Sequence, residues 1–155
     1  MVNPGPDLTA EQVIELLDLA PLPREGGWFR RTHVDEHAGA IYFLMTPEAF
    51  SAMHVLTITE LWHFHAGDPV AMLLLRPDGT AQEPMLGTDL AAGQLPQLIV
   101  PAGVHQGAST TGAWSLVGTT TAPPYDEACF TLSDAAALVE RWPSAAARIE
   151  ELTRP

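Results

Sequence analysis

The run from Met53 to Pro69 holds His54, His63 and His65, three of the six histidines, together with Glu60, set among Leu56, Leu61, Trp62 and Phe64. Imidazole and carboxylate are the side chains that environment most readily tunes toward neutral pH, so this density points to proton transfer or to coordination of a divalent metal. On one extended strand His54 and Glu60 would stand roughly 20 Å apart at about 3.3 Å per residue, too far to share a ligand. Thr57 and Thr59 are therefore read as a turn, with Glu60 opening a returning strand that Gly67, Asp68 and Pro69 end. The two-residue period puts Glu60, Trp62 and Phe64 on one face of that strand and Leu61, His63 and His65 on the other, unless a bulge intervenes. An inward carboxylate between aromatic rings is costly to bury unless it is paired, hydrogen-bonded or coordinated. Any one of these histidines alone reads as an ordinary strand-face residue; the cluster is what points to chemistry.

The elements that must position this stretch are short. Thr9 and Gln12 have capping-box spacing and open a helix over about residues 10–18, which Pro21 and Pro23 stop. Gly26 and Gly27 allow a tight bend into a strand on which Arg30 and Arg31 point to opposite faces. Ala40–Met45 and Val70–Leu75 read as buried strands, Arg76–Gly79 as a turn, and Trp114–Thr121 as a further strand. Ser133 and Ser144 are read as caps of two closing helices, within about residues 133–152, that cover a barrel end or a dimer edge. Many short strands between turn signals make an all-β antiparallel barrel or sandwich the expected class.

Composition narrows the function. The 155 residues suit one domain, and a net charge of −12 argues against nucleic acid or an anionic membrane as partner. There are seven arginines and no lysine, which removes Schiff-base chemistry and a phosphate-loop lysine together. The single cysteine, Cys129, excludes an internal disulfide and reads as a small buried apolar residue. Met1–Pro6 is neither basic nor apolar enough for a secretory leader, and no apolar run reaches the roughly 18 residues of a membrane span. A cytoplasmic location is the expectation.

His54, Glu60 and Gly67 resemble the first motif of the cupins, and Pro101-Ala102-Gly103-Val104-His105 resembles the second. More specifically, Glu25-Gly26-Gly27-Trp28-Phe29-Arg30, Ala40-Ile41-Tyr42-Phe43-Leu44, Glu60-Leu61-Trp62-His63-Phe64, Leu90-Ala91-Ala92-Gly93 and Val100-Pro101-Ala102-Gly103-Val104-His105-Gln106 resemble the small group called Cupin_5. The resemblance spans about residues 11–152. It implies a single-domain jelly-roll β-barrel with a core of about residues 24–130, an internal pocket and a homodimer, and it brings no settled reaction. Two positions depart from the metal-binding pattern. Leu56 occupies the slot of the second histidine of His-x-His, and Gln106 occupies the usual histidine slot of the second motif, with His105 one residue early.

Three functions follow as expectations, all with a small-molecule ligand. The first is an isomerase or epimerase acting on a small, sugar-like metabolite, with His54 as base, His63 in reserve, Glu60 as pocket acid, Tyr42 as proton donor and Arg30 anchoring an anion. The second is a metal-dependent dioxygenase or isomerase in which His54 and Glu60 hold a divalent transition metal, completed by His65, His63 or His105 if a bulge turns one of them inward. The third is a non-catalytic binding module whose cup is lined by Trp28, Trp62 and Phe64, with His105 and Gln106 alongside.

Overall fold

The structure, a computed structural model, describes residues 7–154; the stretch 1–6, read above for a leader, lies outside the described residues. Helix α1 (Ala10–Leu17) begins with the expected capping box, Thr9 and Gln12 each accepting from the other's backbone amide. It ends where Asp18 turns left-handed at φ 54°.

Twelve strands follow among the described residues: β1 (Ala20–Pro21), β2 (Trp28–Val34), β3 (Gly39–Met45), β4 (Ser51–Leu56), β5 (Glu60–Gly67), β6 (Val70–Leu75), β7 (Ala81–Gln82), β8 (Met85–Leu86), β9 (Gln97–Val100), β10 (His105–Thr110), β11 (Ser115–Thr121) and β12 (Phe130–Leu132). One sheet runs β1-β2-β3-β11-β5-β9, the other β12-β4-β10-β6-β7, with β8 also paired to β6. All of these ladders are antiparallel. The two sheets form a jelly-roll barrel, the expected all-β class. One expectation is corrected. β4 and β5 are not a hairpin: β4 pairs with β10 and β12, and β5 pairs with β11 and β9. Residues 57–59 carry the chain from one sheet to the other, so His54 and Glu60 come from opposite sides of the barrel.

Strand alternation sorts side chains into layers. Phe43, Met45, Trp62, Val70, Met72, Leu74, Val100, Ala108 and Val117 fill the interior between the sheets. Leu73 and Leu75 point the other way, onto Leu138, Trp142, Ile149 and Leu152 of the C-terminal segment with its helices α2 (Ala135–Arg141) and α3 (Ala146–Glu151). Both faces of β6 are thus covered, which is why Val70–Leu75 reads as an unbroken apolar run. On the outer face of the first sheet, Leu44 and Trp28 pack against Val13 of α1. Each such fully buried large side chain stabilises the fold by about 1.5–3 kcal/mol over its exposed state.

The caps of the closing helices differ from expectation. Asp134, not Ser133, accepts from the Ala137 amide at 2.9 Å, because the Ser133 hydroxyl is 2.8 Å from His105 Nδ1. Ser144 lies inside a short 3-10 turn, and α3 begins without a side-chain cap. These helices cover the outer face of the second sheet rather than a barrel end. Among the described residues no helix is long and apolar enough to cross a membrane.

Candidate functional site

A cavity lies between the sheets at the end where β5 begins and β11 finishes, with about 90 Å³ open to the centres of water-sized molecules. Its walls are largely apolar, with Phe29, Ile41, Leu56 and Phe130 among them. Set into them are Glu25, Glu60, Thr119, Thr121 and Tyr125, with Arg24 and Arg31 also lining the space.

Three positive backbone angles within four residues shape the turn that brings in Glu25: φ is 66° at Arg24, 96° at Gly26 and 77° at Gly27. A side chain at Gly27 would collide with the Phe43 ring, so the bend admits only glycine there. The turn is fixed from outside. The Glu25 carbonyl accepts from the Ala52 amide at 2.9 Å and from Arg154 Nη1 at 2.7 Å, while Arg154 Nη2 reaches the Phe50 carbonyl at 2.7 Å. The Glu25 carboxylate accepts from the buried Ser51 hydroxyl at 2.7 Å.

Glu60 opens β5 directly opposite Thr121 of β11, and Trp62 stands opposite Thr119. Glu60 Oε1 accepts from Gln106 Nε2 at 3.1 Å, and the Thr119 hydroxyl is a further hydrogen-bonding influence that favours its ionised form. Burial dominates these bonds. Loss of water, reinforced by the nearby Glu25 charge, pushes the Glu60 carboxyl up to about 7, against the smaller opposing effects of His54, Thr119 and Gln106. Beside it the Thr121 hydroxyl, on a residue only 3% exposed, has no hydrogen-bond partner. Tyr125 reaches the same space, and burial raises its phenol above the ordinary value.

His54 does not line the cavity. Its Nδ1 lies 2.7 Å from the Ala52 carbonyl, which only accepts, so Nδ1 carries the hydrogen and Nε2 is turned to Glu25 Oε1 at 3.7 Å. The ring stacks on Phe130. His54 therefore backs the carboxylates rather than meeting a ligand.

Gln106 is buried between Glu60 and Trp62 and acts through Glu60. The ladder of β5 with β11 is regular from Glu60 to Phe64, so no bulge turns His63 inward. Its ring faces Gln97 and Thr120 at 3.3 and 3.4 Å. His65 is exposed and meets Tyr42 edge-on, which takes Tyr42 out of the cavity as well. His105 is turned to Ser133 and Trp142. Trp28 packs beneath α1, and Arg30 Nη1 donates to the Leu17 carbonyl at 3.4 Å. Trp62 and Phe64 belong to the interior packing below the cavity. Of the side chains expected to act on a ligand, Glu60 alone is in the cavity wall. Thr119 and Thr121 had a signal, since they share one face of the strand expected over Trp114–Thr121. Glu25 had one in its Gly-Gly turn. Arg31 had one in its alternation with Arg30, which puts only one of the two on the pocket face, while Tyr125 and Arg24 had none that sequence alone could separate from surface residues.

The donor set does not fit a metal. The proposed third ligand His65 lies on the opposite sheet face from Glu60, the His-x-His slot is the buried Leu56, and Gln106 is engaged by Trp62 and Glu60. Among the described residues no three His, Cys, Asp or Glu side chains converge as ligands.

A two-sheet jelly roll with an internal cavity walled from both sheets defines a cupin. The chain belongs to Cupin_5, described as Cupin superfamily (DUF985), whose family model matches residues 11–133. A Shewanella oneidensis protein solved by X-ray crystallography is similar at 33% identity, with a TM-score of 0.89 over 96% of this chain and 99% of its own. A hypothetical protein from Leishmania major is similar at 29% identity, with a TM-score of 0.84 over 96% of this chain and 100% of its own. A mutant of Bacillus subtilis oxalate decarboxylase gives a TM-score of 0.60 at 11% identity, over 88% of this chain and 38% of its own, and shares the fold alone. No protein with a curated description matches the sequence.

Proposed function

We propose that this cupin binds a small polar metabolite in the barrel cavity and moves a proton on it, as an isomerase or epimerase of a sugar-like carbonyl compound does, with Glu60 rather than His54 as the base. The supporting observation is the Glu60 carboxyl on the cavity wall, held near neutrality by burial and fixed in direction by Gln106. A base poised near the working pH takes a proton and returns it with equal ease. The Glu60 carboxylate removes the proton from the carbon beside the carbonyl. The C–H electrons move onto the carbonyl oxygen, where the Tyr125 hydroxyl donates a hydrogen bond to the developing enolate. The proton of the substrate's neighbouring hydroxyl passes to that oxygen, and return of the proton from Glu60 to the former carbonyl carbon leaves the carbonyl on the adjacent carbon, which completes an aldose–ketose isomerisation.

The test is solvent-deuterium incorporation into glyceraldehyde and dihydroxyacetone followed by proton NMR. Exchange above the buffer rate that is lost in Glu60→Gln supports the proposal. Wild-type exchange no faster than buffer, or exchange that persists in Glu60→Gln, overturns it.

A further inference from the structure

The cavity is polarised along its length. Glu60, Thr119 and Thr121 stand together on the β5 and β11 wall, with Glu25 facing the same space. The exposed Arg24 and Arg31 line it from the solvent side. The Thr121 hydroxyl is buried without a partner, an arrangement that costs about 1–3 kcal/mol unless something else supplies the missing bond. Glu60 has a second oxygen beyond the one held by Gln106. This wall therefore offers a hydroxyl and carboxylate oxygens to a ligand group that both donates and accepts, as an alcohol does.

The arginines have the opposite character. Neither Arg24 nor Arg31 takes part in the four ion pairs found among the described residues, in a chain with 19 acidic side chains. Arg24 sits instead over the Phe130 ring, 4.5 Å from its centroid, with its backbone in the left-handed region that arginine avoids. Two uncompensated guanidiniums at the entrance to an acidic cavity make a grip for an anionic oxygen group, the geometry arginine recognises best.

We propose that the ligand is bifunctional: a short hydroxylated carbon chain with an anionic oxyacid end, either phosphate or carboxylate. Its hydroxyl bonds Thr121 and Glu60, and its anion is held by Arg24 and Arg31. The proposal rests on the ligand-binding part of the function above, while proton transfer is a separate matter. Placing the anion at the arginines keeps it away from the two carboxylates, which would repel it.

The test is calorimetric titration of the folded protein with glycerol 3-phosphate, glycerate, glycerol and inorganic phosphate. Either of the first two should bind at least about tenfold tighter than glycerol or phosphate, the value of one charge-assisted contact. In the double variant Arg24→Gln/Arg31→Gln that preference should vanish, and Arg24→Lys/Arg31→Lys should restore part of it. Thr121→Val should weaken both anionic probes and glycerol by a similar factor, about fivefold. Thermal melts of each variant verify folding before titration.

Binding of glycerol as tight as its phosphate, an undiminished preference in the double variant, or no binding of either anionic probe at millimolar concentration overturns the proposal. Anion-dependent binding without deuterium exchange leaves it standing and removes the proton-transfer reading. Exchange on neutral sugars with no arginine dependence does the reverse.

Discussion

The indole nitrogen of Trp62 donates to Gln106 Oε1 at 2.9 Å, and this one bond fixes which end of the Gln106 amide faces Glu60. An indole N–H can only donate, so the amide oxygen must turn to Trp62 and the amide nitrogen must turn to the carboxyl. A side chain deep in the core thereby sets the hydrogen bonding of an acid in the cavity.

Gln106→Leu removes that link at both ends. The indole N–H is left buried and unpaired, which should cost about 1–3 kcal/mol in denaturant unfolding. Glu60 also loses a donor that favours its ionised form, so its carboxyl, already pushed up to about 7, should move higher in a carbon-detected NMR titration. An unchanged titration would mean that the bond does not influence the acid.

Glu60 should leave a mark on stability against pH. The carboxyl titrates near 4.5 when unfolded and about 7 when folded, so between those values the folded chain holds a proton that the unfolded chain has released. Stability contributed by this group is therefore present at low pH and declines as pH rises through that window. Glu60→Gln should match the wild type most closely near pH 4.5 and gain on it up to neutrality, reaching on the order of 3 kcal/mol above pH 7. Parallel curves for the two proteins across this range would refute the buried-acid account.

Thr121→Val should separate stability from binding. With no ligand present the hydroxyl is an unpaid desolvation, and its replacement by a methyl of similar shape should raise stability by about 1 kcal/mol. Loss of stability on this substitution would imply a partner for the hydroxyl in the free protein.

Protein purified without a histidine tag and soaked with zinc, manganese or nickel should carry well below one metal per chain by elemental analysis, and Glu60→Gln should not change that content. The reason is the separation of His65 from Glu60 and the side chains that stand in the two other ligand slots. Stoichiometric metal that disappears in Glu60→Gln would restore the metal-enzyme reading.

The fold was legible because its signals are local or repetitive. The Thr9–Gln12 box, the apolar β6 run and the resemblance around Glu25–Arg30 and Val100–Gln106 each specify an element without knowledge of distant partners. Alternation along β5 likewise put Glu60 and Trp62 on one face and His63 and His65 on the other, as the structure has them. The site was less legible because it is made by contacts between remote elements. His54 falls out of the cavity because the turn carrying Glu25 lies over it, and the partners of Gln106 are both on β5. Histidine content drew attention to the right strands and to mostly the wrong side chains.

The clamp that Arg154 places on the Glu25 carbonyl joins residues 129 positions apart in the chain. During synthesis the turn bearing Glu25 leaves the ribosome long before this clamp exists, so the strands can pair while the turn is held by its Ala52 and Ser51 bonds. Docking of the segment that carries Arg154, in addition to collapse of the barrel, then finishes this part of the cavity wall. A nascent chain halted short of Arg154 would hold a barrel whose Glu25 turn lacks one of its clamps.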